Sequence, residues 1–348
     1  MINKAARERD LHCGLLYSIR KSSDKSFMQS LKWLTLVLTI TFFSISPILP
    51  LSAQSGGDFA EETPSWVLVQ QGMHKLEDQQ VSSAIEFFNE ALSREGTLPE
   101  ALYGLGNAYI GSGDDQLGIR ELQQALNQSR FLYTPEDKYL ILYTLAEVRL
   151  HRDEQRMLQD LLLGIVADDP YFTEDEHQDA RRNYRRVIQQ QGIDQLFQLY
   201  RLPEIFSRTA HRELGMQFLL QNLPSQAVDH LVFAALMGFS DVIEEMRRIF
   251  PTYEYSSVLQ TYSDIFNDDP RTEHLREYLE NDSFTSELLH LADAFYIEGQ
   301  QSVANDLWRI VAQVPGPSLY RDRALKQLQE PTLPDSFIRR SSHDRSLK

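Results

Sequence analysis

The chain has 348 residues, 42% hydrophobic and 24% charged, with a formal net charge of −16, enough for one large or two ordinary domains. Such acidity disfavours nucleic acid as a partner, because affinity for a phosphate backbone rests on Lys and Arg contacts. The single cysteine, Cys13, excludes an intrachain disulfide and a cysteine-built zinc site. Asn-Gly and Asp-Gly hairpin turns are absent, and Leu, Ala, Glu, Gln and Arg dominate, so an all-α fold is expected.

The first 53 residues read as a targeting device. From Met28, "MQSLKWLTLVLTITFFSISPILPLSAQSGG" places Lys32 before an apolar run over 34–46, then Pro47, Pro50 and a small residue, Ala53. This is the layout of a secretory signal peptide cut after Ala53, with synthesis starting at Met28. The alternative is an uncleaved anchor, since residues 33–53 are enough to cross a bilayer core, which takes about 20 apolar residues. Seven Lys/Arg against three Asp/Glu in residues 1–32 favour keeping that end in the cytoplasm. Both readings put the remainder outside it, in the periplasm or cell envelope or secreted. Residues 54–64 read as a linker. Beyond residue 53 there are 27 Lys/Arg against 47 Asp/Glu, a net charge of −20.

"GMHKLEDQQVSSAIEFFNEAL", from Gly72, recurs 34 residues later as "GNAYIGSGDDQLGIRELQQAL", from Gly106. Gly72 aligns with Gly106, Ala84 with Gly118, Phe88 with Leu122 and Ala91 with Ala125. Small residues at fixed intervals let paired helices approach, and a large one fills the space beside them. This period and pattern resemble the tetratricopeptide repeat, and the targeting segment suggests an exported bacterial member. The resemblance implies an all-α, right-handed α-α superhelix of antiparallel helix pairs, with units at 65–98, 99–132, 139–172, 208–241 and 285–318. The third unit departs from the pattern, with Leu158 and Ile165 where small residues are expected. Residues 65–172 form an N-terminal block and 173–207 a degenerate helical segment. Residues 208–329 form a C-terminal block closed by the polar helix "SLYRDRALKQLQ", and 330–348 a disordered tail. Ser240 is expected to cap a separate helix, "DVIEEMRRIF".

A search for chemistry finds little. There is no Gly-Lys-Ser/Thr phosphate loop, "GLGNAYIGSG" has the wrong glycine spacing for a dinucleotide, and no histidines stand at i, i+4. The Asp pairs at 114–115, 168–169 and 268–269 read as turn residues. The chain is therefore expected not to be an enzyme and to hold no cofactor or metal.

In the family it resembles, ligands lie along a concave face built from the first helix of each pair. Carried onto this sequence, that face is a peptide-binding groove of Met73, Tyr103, Asn107, Tyr143, Glu147, Arg212 and Met216, with Leu289 and Asp293 in the fifth unit. The expected partner is another protein or peptide segment, with no nucleic acid, and with membrane contact only through 33–53 if uncleaved. The function this implies is an exported, non-enzymatic scaffold. The alternative is a receptor for a small apolar ligand, associated with a transporter.

Overall fold

The computed structural model describes residues 63–173, 178–281, 284–315 and 318–332. The proposed signal or anchor, most of the linker and most of the tail lie outside them. The described residues form sixteen α-helices and three short 3-10 turns, with no strand among them. The first six helices are α1 (Ser65–Glu77), α2 (Val81–Arg94), α3 (Pro99–Gly111), α4 (Asp115–Asn127), α5 (Lys138–His151) and α6 (Gln155–Ala167). A short α7 (Pro170–Thr173), α8 (Gln178–Gln191) and α9 (Ile193–Leu199) follow, then α10 (Arg208–Leu220) and α11 (Pro224–Ile249). The chain continues with α12 (Val258–Ile265), α13 (Glu273–Asn281), α14 (Phe284–Ile297), α15 (Gln301–Gln313) and α16 (Ser318–Gln329).

Four of the five expected units are the helix pairs α1–α2, α3–α4, α10–α11 and α14–α15, and the third covers α5 and α6. Their turns fix the register independently of any side-chain pattern. Gln79 (φ 60°), Gly113 (86°), Asp153 (56°), Asn222 (60°) and Gly299 (84°) all take left-handed backbone, and each is the fifteenth residue of its unit. The next residue's N–H reaches back five places in every case: Gln80 to Lys75 (2.8 Å), Asp114 to Tyr109 (2.9 Å), Glu154 to Arg149 (2.9 Å), Leu223 to Phe218 (2.8 Å) and Gln300 to Phe295 (2.8 Å). This is the Schellman ending, which satisfies the last carbonyls of one helix and reverses the chain into the next.

Close packing follows from the small residues. A β-carbon at Gly106 would lie 2.6 Å from Leu122 Cγ and 3.2 Å from the carbonyl oxygen of Gly118, so the two backbones meet where a side chain has no room. At Gly215 it would lie 2.5 Å from Leu231 Cγ. Phe88 fills the space at Gly72, 2.5 Å from a β-carbon there, and also that at Gly104 in the next pair, at 2.3 Å. Its ring therefore joins two consecutive pairs. The large residues Phe88, Leu122, Leu162, Leu231 and Trp308, and Ala91, Ala125, Ile165, Ala234 and Val311 three places on, are all buried.

The described residues divide into two compact units, one up to residue 148 and one from residue 149, at a point inside α5. The expected N-terminal block, 65–172, straddles this division. In the first unit, α1, α2 and α3 enclose a core of Leu68, Val69, Phe88, Leu98, Ala101 and Leu105. In the second unit, α11 is central and packs on α8, α9, α10 and α14; α6 packs on α10, and α16 on α15. Among the described residues, α11 alone is long and apolar enough to cross a membrane, and it is mostly buried inside the protein, as a core helix is.

One expectation is corrected here. Ser240 does not begin a helix; α11 runs unbroken through it for 26 residues. Ser240 is buried, and its Oγ donates to the Leu236 carbonyl (2.6 Å) and accepts from Leu202 N–H (3.2 Å). Without Pro or a left-handed residue to stop it, the helix continues past its repeat and buries Val242, Ile243 and Met246.

Candidate functional site

In the first unit, α1 and α3 are in contact, so consecutive first helices lie side by side. Met73 is half-buried on α1 and packs against the first unit's hydrophobic core, while Trp66 on the same helix is exposed. Tyr103 and Asn107 are half-buried one turn apart on α3, on one stripe of the helix. Asn107 Nδ2 donates to the Tyr103 carbonyl (3.1 Å), which orients the carboxamide. Glu147, half-buried on α5, has its carboxyl pushed up to about 7 by burial. Tyr143 departs from expectation. Its relative exposure is 5%, so its ring belongs to the core and not to an open face.

In the second unit Met216 is half-buried, but three groove assignments are corrected. Arg212 is buried, with its guanidinium on Glu213 (Nε to Oε1, 3.1 Å). Leu289 and Asp293 are buried as well. Asp293 accepts from Trp308 Nε1 (3.1 Å), Gln327 Nε2 (3.3 Å) and Arg323, so it fastens the end helix α16 rather than facing a ligand. Burial raises its pKa against these stabilising donors.

Sequence reasoning missed a buried polar cluster in the second unit. Asp169, in the turn before α7, accepts from the N–H groups of Tyr171 (2.8 Å) and Phe172 (3.2 Å), the turn role expected of it. It also accepts from Ser207 Oγ (2.6 Å) and pairs with His211 Nε2 (3.2 Å), while His211 Nδ1 meets His230 Nδ1 at 2.9 Å. Burial opposes the Asp169 charge, but the bonds from His211 and Ser207 outweigh it and hold the carboxyl below its usual range. Burial and the adjacent His211 push His230 down to about 3, so it stays neutral. These residues stand 42 and 19 positions apart along the chain, and no local spacing announces them.

This cluster is not a nucleophilic triad. Ser207 donates to the carboxylate and not to an imidazole, and all the groups are buried. Among the described residues, no group of three or more His, Cys, Asp or Glu could hold a metal ion.

Phe172 and Phe233 lie flat on these imidazoles. Phe172 stacks on His230 (centroids 5.1 Å, planes 24° apart) and Phe233 on His211 (5.2 Å, 19°). Beside them opens a recess of about 570 Å³, lined by Phe172, Tyr184, Val232 and Phe233 together with Arg182, Arg185 and Asp229. Arg185 Nη1 donates to Ser225 Oγ (2.8 Å), and its other Nη reaches Glu298. Arg182 also borders a shallower recess of about 390 Å³ with Asp179, Asn183 and Arg186.

No protein-family model matches the sequence. A Treponema pallidum protein, described as uncharacterized, is 23% identical over 239 residues, 68% of this chain and 63% of its own length. The chain thus spans less than two thirds of that relative. A Borreliella burgdorferi protein, also described as uncharacterized, is 22% identical over 317 residues, 83% of this chain and 95% of its own length. Among solved structures, a Podosopora anserina kinesin light chain with nearly identical TPR-like repeats is 15% identical and covers 78% of this chain, with a TM-score of 0.39. A variant of it has a TM-score of 0.37 at 14% identity.

Proposed function

We propose that the chain is an exported scaffold without catalysis of its own, and that it captures another protein along the first-helix face of its first unit. The observation that carries this is the α3 stripe of Tyr103 and Asn107, half-buried and beside α1 with Met73. Aromatic and Met side chains of this kind suit an extended or helical apolar segment. Export is supported by the basic edge, apolar run and small residue that end at Ala53, in periplasm, envelope or medium. Purified protein, incubated with envelope extract, is expected to retain a specific partner. Tyr103→Ala and Asn107→Ala should each weaken that retention, by up to about thirtyfold if the residue is a hot spot, with helicity unchanged by circular dichroism. Retention unaffected by either change would remove this face as the site.

A second reading, a receptor for a small apolar ligand, is favoured by the aromatic recess of the second unit.

A further inference from the structure

Met73, Asn107 and Glu147 occupy one place on three successive first helices. Each lies six residues before the left-handed residue that ends its helix, Gln79, Gly113 or Asp153, and each is half-buried. Helix α1 touches α3. The chain entering α5 also lies against the start of α3. Tyr133 N–H donates to Glu100 Oε1 (2.7 Å), and Asp137 has its carboxyl pushed up by burial and by the Glu100 charge. The face that carries Tyr103 and Asn107 therefore continues onto α5 at Glu147.

Glu147 differs from the other two in carrying a charge. Among the described residues it has no hydrogen-bond or ion-pair partner, and burial alone acts on its carboxyl. The bases of the first unit are engaged elsewhere. Residues 63–148 hold five Lys/Arg against twelve Asp/Glu. Lys75 donates to Gln80 (2.9 Å), while Arg94 and Arg120 pair with Glu90 (2.5 Å) and Glu121 (2.7 Å). Arg130 and Lys138 lie over the rings of Phe131 and Tyr139. Arg149, two places beyond Glu147, pairs with Glu154.

A half-buried carboxylate without a partner destabilises the fold that holds it. A base brought by a bound segment offsets that cost and gains a charge-assisted hydrogen bond in a partly desolvated place. The acidic surroundings draw such a segment in and repel an acidic one. We propose that the protein segment captured on the first-helix face carries a Lys or Arg beside its apolar anchor, and that Glu147 receives this base while Tyr103 and Met73 take the anchor. The proposal rests on the scaffold reading and adds the chemistry of the partner.

Selection from a phage-displayed library of random dodecapeptides on the purified whole chain at pH 8, followed by calorimetry of the strongest peptide, tests it. Selected peptides should share one Lys or Arg at a fixed distance from an aromatic or aliphatic residue. Replacing that base by Gln in the synthetic peptide should weaken binding about tenfold, the worth of one charge-assisted hydrogen bond. Glu147→Gln, which keeps the side chain's shape, should abolish the preference for the basic peptide while leaving binding of the neutral one unchanged. Glu86→Gln, on the exposed side of α2, should leave the preference intact. Tyr103→Ala should weaken both peptides alike. Peptides without a shared base, or a preference that survives Glu147→Gln, overturn the basic partner and leave the scaffold reading standing if Tyr103→Ala still weakens binding. Binding indifferent to Tyr103→Ala, or a library that yields no binder, overturns the scaffold reading as well.

Discussion

Gly106 and Gly164 are both helical glycines, and opposite consequences follow from what surrounds them. A β-carbon at Gly106 meets Leu122 at 2.6 Å, whereas at Gly164 it meets nothing within 4 Å. Gly106→Ala should therefore destabilise the first unit by about 1–3 kcal/mol through overpacking. Gly164→Ala should stabilise the second by about 0.5–1 kcal/mol, because alanine loses less backbone entropy in a helix. Denaturant melts of the two variants check both signs. The Gly106 contact was readable in the sequence, because its partners Gly118 and Leu122 sit at fixed offsets within one unit. Gly238 was not readable. It admits the buried Arg208 guanidinium, 2.2 Å from where its β-carbon would lie, and that arginine comes from another helix and pairs with the buried Glu287 (3.3 Å). Glu147 gives a third residue-scale test. Its carboxyl, neutral in the fold up to about pH 7 and ionised above about 4.5 when unfolded, penalises the folded state increasingly as pH rises between those values. Glu147→Gln should leave stability unchanged at pH 4 and raise it by about 1–3 kcal/mol at pH 8, with partial solvent access lowering the figure.

At the scale of elements, the repeated unit is defined as much by its turn as by its small residues. Gln79 and Asp153 occupy left-handed positions that Gly113 and Gly299 fill in other pairs. Left-handed backbone costs a residue with a β-carbon about 1–2 kcal/mol, and glycine nothing comparable. Gln79→Gly should then raise stability by about 0.5–1 kcal/mol, the remainder being offset by the greater freedom of glycine in the unfolded chain. A fall in midpoint instead would show that the turn is not strained at Gln79. Pair boundaries were legible because the 34-residue offset and the turn residues agree. The continuity of α11 through Ser240 was not, because serine serves equally as a cap or as a buried side chain bonded to the carbonyl four residues back, and only its surroundings decide. The same limit applies to the groove. A position on the first helix of a pair told where Tyr143, Arg212 and Asp293 sit on a helix, but not that the core takes the tyrosine, that Glu213 pairs with the arginine, or that α16 covers the aspartate.

At the scale of the whole molecule, each unit has its own candidate surface: the half-buried Tyr103 and Asn107 stripe in the first, to which the proposed function assigns a protein segment, and an aromatic recess in the second. The sequence marked the first through a family pattern. It could not mark the second, whose walls come from α7, α8 and α11 and whose bracing imidazoles lie on α10 and α11. The account's central claim is protein capture on the first-helix face of the first unit. Site-specific photocrosslinking in intact cells tests it most directly, with a photoreactive residue placed at Tyr103 or at Glu86, which is exposed on the second helix α2. The account predicts a discrete protein adduct from position 103 and none from position 86. Identical adducts from both positions, or none from position 103, would contradict it.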